Sequence, residues 1–138
     1  TGLPTESRDE VLAAARALLA LGLALVLATG IEATGIEAGG IEAGGRIGAM
    51  AVSHDGAWAA FGPRIAAAAH GAGDAFTAIF LARYLEKRDP ARALSLAVSS
   101  MHAVMRATAD SGADELQLVA AQDALVAPQR LFAAERVA

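Results

Sequence analysis

Residues 70–76, His70-Gly71-Ala72-Gly73-Asp74-Ala75-Phe76, form a glycine-rich stretch that brings one carboxylate to the start of an apolar segment. The glycines favour a turn, and the apolar residues that follow favour a helix. The first turn of a helix carries unpaired backbone N–H groups and the positive end of the helix dipole, and glycine lets a ligand approach the main chain closely. The stretch therefore predicts an anion site with a carboxylate beside it.

Asp74 is the candidate catalytic base in this stretch. Phosphoryl transfer depends mostly on positioning and on stabilisation of negative charge, with one carboxylate that orients or deprotonates the attacking hydroxyl. The same residues also fit a tight turn made by Gly71 and Gly73, with Asp74 as a helix cap. Because the stretch fits both interpretations, the choice between them depends on the rest of the chain.

The string from Gly71 to Phe76 resembles the signature of the ribokinase-like superfamily of small-molecule kinases. The resemblance implies that Asp74 is the catalytic base and that the backbone amides of Gly71, Ala72 and Gly73 form the anion hole. It also implies an α/β fold, a three-layer sandwich with a mostly parallel sheet, flanking helices and a β-hairpin. The signature indicates a superfamily and leaves the substrate open.

Three other segments resemble one family within that superfamily, the pyridoxal kinases. Residues Glu115 to Asp123, followed by Pro128, are similar to the closing segment of the bacterial enzymes. Thr1 to Pro4 is similar to a segment that follows the family's mid-chain Asn/Glu motif, and Ile47 to Trp58 is similar to the hairpin beyond its nucleotide loop. The resemblance covers nearly the whole chain and fails between Gly30 and Gly45.

This second resemblance implies a specific reaction. A pyridoxal kinase transfers the γ-phosphoryl group of ATP to the 5′-hydroxymethyl group of pyridoxal, pyridoxine or pyridoxamine. Thr29 matches a threonine that meets the ATP phosphates, while Gly30 replaces the serine that usually follows it. The family also implies Mg²⁺, a monovalent cation such as K⁺, and a homodimer. No residue of this chain is assigned to a metal.

The resemblance also shows departures. Pyridoxal kinases are about twice as long, so residues 1–138 are expected to be the C-terminal, ATP-binding and catalytic portion of one kinase domain. His70 stands where Asn or Val is usual, and Ile79 stands where many sugar kinases have glycine. Two alternatives stay open: a ribokinase-like kinase for another small alcohol, and a truncated, non-catalytic remnant that binds nucleotide.

Composition excludes several classes of protein. The formal charge is −4, aromatic residues make up 4% of the chain, and no basic cluster is present, which argues against nucleic-acid binding. The apolar run from Ala17 to Ala28 is about twelve residues long, against the roughly twenty that a membrane span needs. The chain has no cysteine, which fits a reducing compartment, so we expect a cytoplasmic protein.

Local signals predict two elements near the N-terminus. Ser7 and Glu10 have the spacing of a capping box, and the apolar residues after them recur at helical intervals until Gly22. Leu23 to Ala28 is a continuous apolar run, typical of a parallel strand that is buried on both faces.

Further signals follow in the second half. Ile47–Val52 and Ala57–Phe61 predict a β-hairpin around an Asp-Gly turn, and Asp89-Pro90 predicts a helix that extends to about Ala109. Glu115 to Val119 alternates as an edge strand does. His54 is expected to be a solvated turn residue, and His102 a core or surface residue rather than a ligand. The predicted core residues of the two long helices are Phe76, Ile79, Phe80, Tyr84, Leu94, Ala97, Val98, Met101 and Met105.

Residues 30–45 contain three near-identical pentapeptides, Ile31–Gly35, Ile36–Gly40 and Ile41–Gly45. A period of five matches neither a helix nor a strand, so the segment is expected to be an expanded loop. The loop could cover the nucleotide phosphates or be a passive flexible insert. Its three carboxylates and lack of a cation would repel a triphosphate without a metal ion, which favours the passive insert.

Overall fold

The computed structural model describes residues 1–33, 45–67 and 69–138. The repeat therefore lies largely outside the described residues. The elements of the described chain are α1 (Arg8–Leu19), β1 (Leu25–Ala33), β2 (Arg46–Ser53), β3 (Gly56–Pro63), α2 (Ala72–Lys87), α3 (Pro90–Ser111), α4 (Gln122–Val126) and β4 (Glu135–Arg136). Within this described part, no helix is long and apolar enough to cross a membrane.

The described strands form one sheet in the order β1-β2-β3-β4, and every neighbouring pair is antiparallel. The predicted hairpin is confirmed, with Ser53 paired to Gly56 across a turn at His54 and Asp55. The expectation of a mostly parallel sheet is wrong for these strands. A run such as Leu23 to Ala28 indicates helices on both faces of a strand, but it carries no information about the direction of the strand beside it.

The three-layer arrangement is confirmed. Side chains of β1 alternate between the two faces, so that Leu25 and Leu27 pack towards α2 and α3, whereas Val26 and Ala28 pack towards α1. The core on the α2 and α3 side includes Phe76, Phe80, Leu94, Ala97, Val98, Met101 and Val104. The core on the α1 side includes Val11, Ala15, Leu19, Met50 and Val52.

Helix α1 begins as its capping box predicts. The backbone N–H of Ser7 donates to the carboxylate of Glu10 at 2.9 Å, and the N–H of Glu10 donates to the Ser7 hydroxyl at 3.3 Å. These bonds satisfy backbone donors that the first turn leaves unpaired. The helix ends at Leu19, and Gly22 follows with a φ of 98°.

Helix α3 is the long helix of the α2 and α3 layer. The Asp89 side chain accepts a hydrogen bond from the N–H of Arg92 at 3.0 Å, and Pro90 occupies the first turn, as predicted. The helix continues to Ser111, slightly beyond the predicted end, and Gly112 closes it at a φ of 66°.

The predicted strand at 115–119 is wrong, because these residues form bends and turns. The backbone N–H of Gln117 donates to the Thr108 hydroxyl at 3.1 Å, which ties the segment to α3. The short helix α4 follows, and the guanidinium of Arg83 donates to the carbonyls of Leu125 and Val126, both at 2.6 Å. The tail therefore packs against the helical layer instead of extending the sheet at this point.

Candidate functional site

The glycine-rich stretch forms the start of α2. Gly71 precedes the helix in a left-handed conformation (φ 83°), which favours glycine. The first intrahelical bond runs from the N–H of Ala75 to the carbonyl of Gly71 at 3.0 Å. The N–H groups of Ala72, Gly73 and Asp74 precede that bond, so they belong to the group of donors that a helix start leaves for another acceptor.

Asp74 occupies the first turn of α2 and is exposed. The helix has no side-chain capping hydrogen bond, so Asp74 does not act as the cap that the simpler interpretation required. Within the part of the chain that the structure describes, the carboxylate of Asp74 forms no ion pair. The carboxylate is therefore available to a ligand at the helix start.

Thr29 and the helix start lie side by side. A Cβ placed on Gly73 would be 3.8 Å from the hydroxyl oxygen of Thr29. The register between β1 and β2 shifts between Thr29 and Ile31, and Gly30 has a φ of 71° at this bulge. Bulges change the direction of neighbouring side chains, so Gly30 has a structural role here. The structure thus brings together the three predicted features, Thr29, the glycine turn and Asp74.

A cleft of about 200 Å³ opens beside this helix start. Thr29, Ala72 and Gly73 line the cleft next to α2, together with residues of β2 and β3, whereas Gly71 and Asp74 are not among the residues that line it. One face of α3 forms an apolar wall, with Val98, Met101 and Met105. A donor-rich end joined to an apolar wall suits a ligand that has an anionic end and a flat apolar end.

His102 is a lining residue that was not expected as a functional one. Apart from Thr29, it is the one described lining residue with a hydroxyl, amide or ionisable side chain. Its ring meets Phe132 edge-on, with centroids 4.9 Å apart. A signal was present in the sequence, because Val98, Met101, His102 and Met105 follow helical spacing and place the imidazole on the apolar face.

Phe132 is held in place by α3. Its N–H donates to the Ser99 hydroxyl at 2.9 Å, and its carbonyl accepts from the Ser95 hydroxyl at 2.8 Å. Its ring also lies 3.5 Å from where a Cβ on Gly62 would be, which is an ordinary van der Waals distance. Phe132 of the C-terminal tail therefore contacts His102 of α3 and lies next to Gly62 of β3.

The described residues contain no group of three or more His, Cys, Asp or Glu side chains that could hold a metal ion. Of the three carboxylates in the repeat, Glu32 is described, and it forms an ion pair with Arg64. The other two, like the proposed covering role of the repeat, fall on residues outside the described ones.

No family model matches the chain. Among solved structures, the pyridoxal kinase of Entamoeba histolytica has a similar fold, with a TM-score of 0.78 and 22% sequence identity. The match covers 99% of this chain and 46% of that protein. The pyridoxal kinase of Leishmania donovani in complex with ADP and pyridoxine is also similar, with a TM-score of 0.79, 16% identity and the same coverage. Together with the three layers and the helix start, these likenesses define a ribokinase-like fold.

Sequence similarity is more specific. Pyridoxal kinase PdxY of Rubrobacter xylanophilus is 42% identical over 137 residues, which are 99% of this chain and 46% of the relative. The chain is homologous to the C-terminal part of the pyridoxal kinases, as its signature and tail indicated. It spans about 46% of the length of this curated relative.

Proposed function

We propose that this chain supplies the nucleotide-binding and catalytic portion of a pyridoxal kinase-like phosphotransferase, and that residues 1–138 act as one unit in that role. The observation that carries the proposal is the juxtaposition of Thr29 with Gly73 at a helix start that also bears Asp74. Homology to pyridoxal kinases over 99% of the chain supports the substrate class.

The proposed roles follow the geometry. The amides of Gly71, Ala72 and Gly73 hold negative charge on the transferred phosphoryl group, and the Thr29 hydroxyl contacts the nucleotide phosphates. Asp74 accepts the proton of the 5′-hydroxymethyl group. The hydroxyl oxygen forms a bond to the γ-phosphorus while the bond from that phosphorus to the bridging β–γ oxygen breaks, and ADP leaves.

The apolar wall of α3 receives the base of the nucleotide in this proposal. Val98, Met101 and Met105 offer apolar contact, and His102 offers a ring that can stack or form a hydrogen bond with the base. The phosphates then extend towards Thr29 and the start of α2. This orientation uses the donor-rich end of the cleft for the anionic part of ATP.

The same proposal includes the metal ions, the oligomeric state and the location of the protein. Mg²⁺ enters bound to ATP, because nucleotide phosphates and water supply most of its ligands in kinases. A monovalent cation such as K⁺, a homodimer and a cytoplasmic location are expected from the resemblance to the family. The substrates are ATP and a pyridoxal-type alcohol.

A coupled assay of ADP formation with pyridoxal tests the proposal. Asp74→Asn should lower kcat by at least about 100-fold, the usual range for loss of a general base. Asp114→Asn is the matched control, because Asp114 is exposed as Asp74 is but follows the end of α3 and does not belong to the start of α2. Equal rates for the wild type and Asp74→Asn would refute the role of Asp74. ATP binding without turnover in the wild type would favour the non-catalytic remnant.

A further inference from the structure

Phe132 is a buried residue of the C-terminal tail that lies behind the cleft. It is 9% exposed and belongs to the core on the α2 and α3 side. It is not among the described residues that line the cleft, but it contacts His102 of α3 and lies next to Gly62 of β3, which both line it. Any effect of Phe132 on a ligand in the cleft must therefore pass through a neighbouring residue.

The backbone of Phe132 is attached to α3 at two points. Its N–H donates to the Ser99 hydroxyl at 2.9 Å, and its carbonyl accepts from the Ser95 hydroxyl at 2.8 Å. The Ser99 hydroxyl donates in turn to the carbonyl of Ser95 at 2.7 Å, so its proton points along the helix and a lone pair is left for Phe132. Two hydrogen bonds fix both the place and the direction of this backbone, which a single bond would not.

The serine at position 99 is costly for the helix itself. Ser99 is 1% exposed in the interior of α3, where alanine is the better helix former. A serine hydroxyl that bonds to the carbonyl four residues earlier also slightly destabilises a helix. The hydrogen bond to Phe132 is the contact that offsets this cost.

The same attachment places the Phe132 ring against the imidazole of His102. His102 follows Ser99 by three residues, so the two side chains are neighbours on the surface of α3. The rings meet edge-on, with centroids 4.9 Å apart and an interplanar angle of 61°. The terminal torsion of a histidine has a broad energy minimum, so a packed neighbour decides the direction of its ring nitrogens. A hydrogen bond from this imidazole to a ligand depends on that direction.

We propose that Phe132 is a positioning residue, which Ser95 and Ser99 hold in place and whose ring fixes the orientation of the His102 imidazole in the cleft. The inference rests on the proposed function, in which the base of the nucleotide lies against α3 and meets His102. The C-terminal tail thereby contributes to nucleotide affinity without touching the nucleotide.

Titration with Mg²⁺ and a non-hydrolysable ATP analogue tests the proposal. Ser99→Ala should weaken binding by about threefold, because a misdirected imidazole loses part of one hydrogen bond. Ser100→Ala is the matched control and should leave the affinity unchanged. Ser100 is equally buried in α3, and its hydroxyl donates to the carbonyl of Ala124 in the tail at 2.9 Å. Because both variants lose a hydrogen bond between α3 and the tail, an equal loss of affinity in the two overturns the proposal.

A double-mutant cycle shows whether the effect passes through His102. When His102→Leu is already present, Ser99→Ala should cause no further loss of affinity, since the group that Phe132 positions is gone. A loss of the same size in both backgrounds would indicate a merely structural role and overturns the proposal. Phe132→Leu keeps both backbone hydrogen bonds and an apolar side chain, and it should weaken binding as Ser99→Ala does. Unchanged affinity in Phe132→Leu also overturns the proposal.

The imidazole C–H resonances give a readout without nucleotide. The chain has three histidines, of which His54 and His70 are exposed, and His102→Leu identifies the third set of resonances by removing it. Ser99→Ala should shift the His102 resonances alone, and Ser100→Ala should shift none of the three sets. Unchanged His102 resonances in Ser99→Ala overturn the proposal. Unchanged nucleotide affinity in His102→Leu would instead refute the proposed place of the base, and these resonances would then decide by themselves whether His102 is positioned.

Discussion

At the scale of single residues, the site depends on a backbone conformation as much as on a carboxylate. Gly71 adopts a left-handed φ of 83° and so turns the chain into α2 with its first N–H groups exposed to a ligand. Asp74 supplies the one ionisable side chain in that turn. The resemblance to a kinase signature predicted both residues. It did not predict His102, which lines the cleft from α3 and meets the ring of Phe132 from the distant tail.

Gly71→Ala should destabilise the protein by about 1 kcal/mol, because alanine is strained at a left-handed φ. It should also weaken ATP binding, since the strain is relieved by moving the amides at the helix start. Gly112→Ala is the control, because Gly112 has a similar φ of 66° but follows the end of α3 and does not precede α2. Denaturant unfolding and ATP titration of both variants check this prediction. Equal ATP affinity in the two variants would argue against an anion site at Gly71.

His102→Leu should raise the KM for ATP by about three- to tenfold, which corresponds to the loss of about one hydrogen bond. The KM for pyridoxal should stay unchanged, since the imidazole is expected to meet the base. His54→Leu is a matched control, as His54 is exposed in the hairpin turn. A change in the pyridoxal KM alone would place the vitamer, rather than the base, against α3.

At the scale of elements, short-range sequence signals predicted most of the helices and strands that the structure shows. The capping box at Ser7, the Asp89-Pro90 start and the hairpin turn each act within a few residues, so the sequence displays them directly. The direction of β1 and the conformation of 115–119 depend on distant partners instead. Thr108, for example, accepts a hydrogen bond from the backbone of Gln117, and no pattern within 115–119 encodes that contact.

Ser7→Ala should lower the free energy of unfolding by about 1 kcal/mol, because it removes the side-chain acceptor at the start of α1. Thr5→Ala is a suitable control, since Thr5 is exposed and precedes the cap. Urea unfolding of the two variants measures the difference. Equal midpoints would show that the capping box adds nothing to the stability of the protein.

The same capping box predicts a pH dependence of stability. The backbone N–H of Ser7 is the largest cause that lowers the pKa of Glu10, and the N–H of Glu6 adds to it. Because the folded pKa lies below the unfolded one, the contribution of Glu10 is present above the unfolded pKa, about 4.3. It is lost as the pH falls through the folded pKa. Glu10→Gln should remove this component from urea unfolding measured over that acid range, and an unchanged profile would contradict the prediction.

At the scale of the whole molecule, the C-terminal tail packs against the layer that also carries the start of α2. Phe132 and α4, which belong to this tail, both form hydrogen bonds with α3. The proposed phosphate end of the cleft joins two elements, because Thr29 belongs to β1 and Gly73 to α2.

The most direct test of the account is a titration of the chain with Mg²⁺ and a non-hydrolysable ATP analogue, followed by backbone amide chemical shifts. The account predicts that the largest shifts occur at Gly71, Ala72, Gly73 and Thr29, with smaller shifts along the α3 wall at Val98, Met101 and His102. Saturating shifts confined to other parts of the chain, or none at the start of α2, would contradict the claim that this helix start binds the nucleotide phosphates.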